Sequence, residues 1–264
     1  MPDSTTRDGS ILVVDVGNTN ICLGVMRGRE PIAAWRIRTD PGQTEDEFFI
    51  TLAQLLETSS IEASTIGGSV VASVVPPLSD AVVASIRRRF DVPVLMVGPG
   101  LRTGISIRME NPREVGADRI VNAVAAMELS PSGAIVVDLG TATTFDCVSP
   151  DGEYLGGVIA PGITISAEAL VRRTAKLPEV TITRPGRTIG KNTEGSMQSG
   201  IFYGYVALID GLVDRIKEEL DFEPSVIATG GHAPALAAAS RTISRVEPDI
   251  TLLGLAIIWE LNRD

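Results

Sequence analysis

Ile11-Leu12-Val13-Val14-Asp15-Val16-Gly17-Asn18-Thr19-Asn20 decides how the chain is read. Four apolar residues, three of them β-branched, form a short buried-strand pattern. The run ends on a carboxylate, and a glycine comes two residues later. Such a strand end presents backbone N–H groups, a hydroxyl and one acid to a polyphosphate. Gly17 lets the backbone approach without a Cβ in the way. Asn18 and Thr19 add donors that tolerate a turn. Asp15 is the candidate anion for a metal riding on the phosphates. One copy of Asp-x-Gly is also compatible with a plain strand-end turn.

A second copy decides between these readings. Ala134-Ile135-Val136-Val137-Asp138-Leu139-Gly140-Thr141-Ala142-Thr143-Thr144 repeats the apolar run, the acid, the glycine and the hydroxyl cluster. The residues downstream of each copy also match. Strand patterns at 21–26 and 32–37 flank the turn Arg27-Gly28-Arg29, and patterns at 144–148 and 154–159 flank Pro150-Asp151-Gly152. Two such units half a chain apart predict an internal duplication. Strands alternating with helices, twice, predict an α/β protein of two duplicated halves, with the ligand in the cleft between them. The expected boundaries are a flexible tail over residues 1–10, one half over 11–126 and the other over 127–264.

Composition narrows the partners. The chain has 264 residues with 44% hydrophobic content, enough for a substantial core. A net charge of −10, from 23 basic and 33 acidic residues, disfavours nucleic acid or an anionic membrane as general partner. Any anionic ligand must then be held by local donors or metals. Cys22 and Cys147 lie in apolar strand patterns and read as buried thiols. No apolar run has membrane-spanning length, and residues 1–10 lack a signal-peptide core. The expected location is the cytoplasm.

Between the copies, Thr44-Glu45-Asp46-Glu47 has the spacing of a capping box and predicts a helix start. Pro76-Pro77 is expected to stop the strand before it. Arg87, Arg88 and Arg89 read as a solvated cap at the end of the next helix. Asn111-Pro-Arg-Glu-Val-Gly-Ala-Asp-Arg119 leads into a helical pattern and carries more polar residues than a connector needs. Asp118 falls in the first turn, where the helix dipole favours the ionised acid; first-turn acids are also common without function. Beyond the second copy, 172–190 is a long connector, expected to be functional or interfacial. The long helix after it carries Gly200, Gly204 and Gly211, equally compatible with close packing inside the chain and with a dimer seam. Thr229-Gly230-Gly231 ends a strand and suits either an adenosine or a tight turn.

These residues together resemble a known family. Asp15-Val-Gly-Asn-Thr19, Asp138-x-Gly-Thr141 and Thr229-Gly-Gly231 resemble the phosphate and adenosine loops of the actin-like ATPase and sugar kinase superfamily, whose halves are ribonuclease-H-like. Asn111 to Arg119, Asp138 to Asp146, Tyr154-Leu-Gly-Gly-x-Ile-Ala-Pro-Gly162, Asn192-Thr193 and Met197-Gln-Ser-Gly200 are similar to type III pantothenate kinases. The resemblance implies ATP-dependent phosphorylation of pantothenate, the first step of coenzyme A synthesis, with Mg²⁺ and a monovalent cation, potassium or ammonium. It implies Asp118 as general base. Gly116, Ala117, Asp118 and Arg119, with Thr193 and Met109, match substrate-binding positions. Asp15, Val16, Gly17, Asn18, Thr19 and Asn20, with Thr141, match the ATP site. Asp138 matches the monovalent-cation ligand, and Asp15 is the expected Mg²⁺ ligand. A homodimer is implied as well.

No Gly-x-x-x-x-Gly-Lys occurs, so charge neutralisation falls to metals and backbone donors. Met109, Glu110 and His232 depart from the family pattern: an aromatic, an aspartate and a small residue are more usual there. His232, the only histidine, is expected to be a hydrogen-bonded turn residue rather than a catalyst. The competing function is a catalytically silent relative that binds nucleotide or pantothenate as a regulator. A nicotinamide enzyme is disfavoured, because no Gly-x-Gly-x-x-Gly comes after the first strand.

Overall fold

A computed structural model describes residues 9–263. The elements, in order, are β1 (Ser10–Val16), β2 (Asn20–Arg27), β3 (Glu30–Arg38), α1 (Glu45–Thr58), β4 (Ile66–Ser73), α2 (Pro76–Phe90), β5 (Val94–Met96), β6 (Ser106–Ile107), α3 (Ala117–Leu129), β7 (Ala134–Leu139), β8 (Ala142–Val148), β9 (Glu153–Pro161), α4 (Ile163–Arg172), α5 (Thr193–Glu219), β10 (Ser225–Thr229), α6 (Ala233–Ala237), β11 (Arg245–Val246) and α7 (Ile250–Asn262).

The duplication is visible in the strand order. The first sheet runs β3-β2-β1-β4-β5 and the second β9-β8-β7-β10-β11, with β6 added beyond β9. In each, the Asp-bearing strand pairs antiparallel with its successor and parallel with a strand reached through a crossover. A central strand buried on both faces must be apolar throughout, which is why β1 and β7 read as unbroken β-branched runs. Leu12, Val13 and Val14, like Ile135, Val136 and Val137, are fully buried.

The chain forms two compact units. One comprises the described residues up to Gly104, Asn111–Ala125 and those from Ile250 onward; the other comprises Ile105–Glu110 and Ala126–Asp249. The packing is therefore not contiguous at 126/127. α7 buries Leu252, Leu255 and Ile258 and joins the first unit, whereas 105–110 joins the second through β6, which pairs with β9. Of the expected tail over 1–10, residues 1–8 lie outside the described residues. Ser10 is already in β1, opposite Arg27.

Local signals are met in detail. Thr44 Oγ1 accepts from the Glu47 N–H at 3.3 Å, and the Glu47 carboxylate accepts from the Thr44 N–H at 2.8 Å, closing the capping box. β4 ends at Ser73 and the two prolines occupy the first turn of α2, where a missing N–H costs nothing. Arg88 is more than a solvated cap. Its guanidinium lies 4.5 Å from the Phe49 ring centre and donates to Asp46 at 2.6 Å, tying α2 to the start of α1. Cys147 is buried and Cys22 half-buried.

Connector 172–190 is laid along α5. Gln198 Nε2, Ser199 Oγ and Tyr203 OH donate to the carbonyls of Thr181, Thr188 and Pro185. Gly200, Gly204 and Gly211 on α5 meet no atom within 4 Å of an added Cβ, so intrachain close packing does not account for them. Among the described residues no helix is long and apolar enough to cross a membrane.

Asp210 of α5 anchors the loop after α6. It accepts from the hydroxyls of Ser240 at 2.6 Å and Thr242 at 2.8 Å, and from the Arg241 N–H at 3.2 Å. Burial raises its pKa, but these donors outweigh burial and hold it below the usual aspartate range. The stability it contributes is present above pH 3.8 and lost as pH falls through the lower folded value. Asp210→Ala is expected to cost about 2 kcal/mol at neutral pH. Urea unfolding of both chains from pH 7 downward checks this: the difference should shrink in the acid range, and a pH-independent difference would contradict it.

Candidate active site

In the first unit, β1 delivers Asp15 and Val16 to a tight turn. The Gly17 N–H donates to the Asn20 carbonyl at 3.0 Å, and a Cβ on Gly17 would sit 2.9 Å from that oxygen. Asn18, Thr19 and Asn20 are exposed at the tip, and Asp15 is half-buried at its base. Val16 is fully buried, so it offers a ligand only its backbone. Thr39, after β3, pins the turn. Its hydroxyl donates to the Gly17 carbonyl at 2.6 Å and its N–H to the Thr19 carbonyl at 2.9 Å. Nothing in the sequence around Thr39 marks this role; it arises from the register of β2 and β3.

The same unit carries the start of α3. Asn111 shapes its approach: the side chain accepts from the Arg113 N–H and donates to Glu114 at 2.7 Å, closing a turn of 3-10 helix over Pro112–Glu114. Asp118 then folds back on the helix start, where Oδ1 accepts from the Arg119 N–H at 2.9 Å. A Cβ on Gly116 would lie 2.4 Å from that oxygen. Glycine is thus the residue that leaves room for the carboxylate. Gly116, Ala117, Asp118 and Arg119 are all half-buried within one helical turn.

In the second unit a turn one residue shorter stands at the matching place: the Gly140 N–H donates to the Ala142 carbonyl at 3.1 Å. Thr141 is exposed at its tip. Thr229 pairs with Asp138 across β10 and β7, so the Thr229-Gly230-Gly231 loop lies on the Asp138 strand end. Added Cβ atoms on Gly140 and Gly230 would lie 3.2 Å and 2.8 Å from Asp138 Oδ1. The carboxylate thus sits in a cradle kept open by two glycines. Gly162, at the start of α4, seals the loop from below; a Cβ there would meet the Thr141 carbonyl at 2.1 Å.

His232 comes directly after this loop. Its N–H points to the Leu139 carbonyl at 3.5 Å, and Nε2 is 3.0 Å from the Thr164 hydroxyl. Burial pushes the imidazole below the usual histidine range, so it is neutral at pH 7. That is the turn-anchoring role expected of it.

The remaining positions are more dispersed. Met109 lies just after β6, and its sulfur would lie 3.1 Å from a Cβ on Gly156. Thr193 is the first residue of α5, capped by Asn192, which accepts from the Gly195 N–H at 2.7 Å. Thr193 lines an apolar groove of about 660 Å³ with Pro161, Leu170, Met197 and Tyr205. Met109, Thr193 and the Asp138 loop belong to the second unit; the Asp15 loop and the Asp118 turn belong to the first.

Among the described residues no three His, Cys, Asp or Glu side chains converge on one point. An all-protein cage for a divalent ion is therefore not built. A single carboxylate, Asp15, at a strand end with backbone N–H groups beside it fits Mg²⁺ that arrives on a nucleotide, because Mg²⁺ keeps most of its ligands from phosphate and water. The open cradle around Asp138 fits one weakly held cation with oxygen ligands.

A family model described as type III pantothenate kinase matches residues 11–215. A type III pantothenate kinase of Anaeromyxobacter sp. (strain Fw109-5) is 52% identical over 253 residues, covering 96% of this chain and 100% of the relative. Another, of Bacillus cytotoxicus, is 50% identical over 252 residues and 96% of each chain. Among solved structures, a ROK family glucokinase from Streptomyces griseus in complex with glucose and AMPPNP matches with a TM-score of 0.53 at 12% identity, over 95% of this chain and 99% of that one. That likeness shows the fold alone: the actin-like ATPase and sugar kinase fold, with its duplicated α/β halves.

Proposed function

The chain belongs to the type III pantothenate kinase family, and from that premise we propose how its own residues transfer the γ-phosphate of ATP to pantothenate, the first step of coenzyme A synthesis. Phosphoryl transfer asks for positioning and charge neutralisation rather than covalent help. Asp118 is the general base. It accepts the proton of the primary hydroxyl as the oxygen–phosphorus bond forms. The observation that carries this is its placement: a carboxylate held over the start of α3 by the Arg119 N–H, against a glycine that leaves it room.

Residues 15–20 and Thr141 give N–H and hydroxyl donors to the phosphates. Asp15 is the ligand for Mg²⁺, which when bound neutralises phosphate charge. Asp138 is the ligand for a monovalent cation, potassium or ammonium; its open cradle supports this assignment. Gly116, Ala117 and Arg119 bind pantothenate, with Met109 and Thr193 as further contacts. The open glycine face of α5 and exposed Ile165 and Leu170 support a homodimer. The acidic balance and the lack of a membrane-spanning helix among the described residues support a cytoplasmic protein with neither nucleic acid nor membrane as partner.

Arg119 is the partner for the pantothenate carboxylate through charge-assisted hydrogen bonds. Arg119→Ala is expected to raise the KM for pantothenate about tenfold or more while leaving the KM for ATP near its original value. Steady-state kinetics in both substrates check this. An unchanged pantothenate KM would refute the assignment.

A further inference from the structure

α7 touches two elements that the reaction must hold in register, the first sheet and the first turns of α3, and the residues it touches lie in its own compact unit. One side faces the first sheet. Leu252 Cδ1 is 3.0 Å from where a Cβ on Gly24 of β2 would sit, and the Trp259 ring occupies the space such an atom on Gly68 of β4 would take. β2 is the strand paired with β1 at Asp15, opposite Cys22. The other side faces α3. A Cβ on Gly254 would lie 2.1 Å from the Val121 carbonyl oxygen, and the Thr251 hydroxyl donates to Asn122 Oδ1 at 2.7 Å. Asn122 is 2% exposed, so this is a buried polar contact one helical turn from Asp118.

We infer that α7 is a spacer that sets the distance between the phosphate loop and the base. Gly254, Thr251 and Asn122 are positioning residues for the transfer, acting through α3. The inference rests on Asp118 being the base. At Gly254 the neighbour is backbone, which cannot swing aside, so any side chain there must push α3 away from the sheet. Asp118 and Arg119 ride on α3, and with them pantothenate; the Asp15 loop stays with the sheet. Both substrates then still bind, but the hydroxyl and the γ-phosphate no longer line up. A displacement on the order of 1 Å costs about 100-fold in such reactions.

The test is the kinetics of Gly254→Ala beside Thr251→Val and Thr251→Ser, with thermal unfolding of each. Gly254→Ala is expected to lower kcat about tenfold or more while both KM values stay within about threefold. Thr251→Val lowers kcat in the same pattern, and Thr251→Ser, which restores the hydroxyl, recovers it. A wild-type kcat in Gly254→Ala, or a loss confined to KM, would overturn the inference. Should Gly254→Ala not fold, the Val and Ser pair decides: equal kcat values for the two overturn it. Asp118→Asn separates this from the base assignment. Full turnover in Asp118→Asn removes the base; an inactive Asp118→Asn beside a fully active Gly254→Ala removes only the spacer.

Discussion

Asp118→Asn is expected to bind ATP and pantothenate but to lower kcat by about 10²–10⁴. Asparagine has the same shape, still accepts from the Arg119 N–H, and still fits beside Gly116. What it lacks is a site for the hydroxyl proton. Pantothenate affinity, measured by calorimetry, should therefore stay within about threefold while turnover collapses. A variant with kcat near wild type would mean that the proton leaves by another route and that Asp118 is only a first-turn acid.

Gly230→Ala has the second large expected effect. Gly230 has φ of +92°, a conformation that side chains rarely adopt, and a Cβ there would lie 2.7 Å from the Leu139 carbonyl oxygen and 2.8 Å from Asp138 Oδ1. The strained backbone costs about 1–3 kcal/mol. To relieve the contacts, the Thr229–His232 loop must lift from the β7 end, which would open the adenosine side of the proposed nucleotide site and disturb the Asp138 cradle. The KM for ATP should rise about tenfold or more, with a lower unfolding midpoint. An unchanged ATP KM would show that this loop does not touch the nucleotide.

Much of this was legible in the residues. β1 and β7 are buried on both faces, so they must be apolar runs, and a carboxylate at the end of each stands out. The capping box at Thr44 announces itself because its partners are three residues apart, whereas the side-chain turn at Asn111 showed only as an excess of polar residues. What was not legible depends on tertiary contact. β6 and β11 are two-residue edges, too short for any periodicity to show. The tie from Thr39 to the Gly17 turn crosses from β3 to β1. α7 comes after the second unit in sequence but packs with the first, because its apolar faces meet β1, β4 and α3 rather than their counterparts. That Gly200, Gly204 and Gly211 of α5 have open sides depends on which elements pack nearby, and no local pattern carries that.

Pantothenate-dependent ADP formation by the purified chain with Mg²⁺, with and without potassium, is the most direct test of the whole account. The prediction is one ADP for each phosphopantothenate formed, with turnover that rises when potassium or ammonium is present. ATP binding without pantothenate-dependent turnover, in either salt, would contradict it and would make the chain a silent relative that keeps the fold and binds without transferring phosphate.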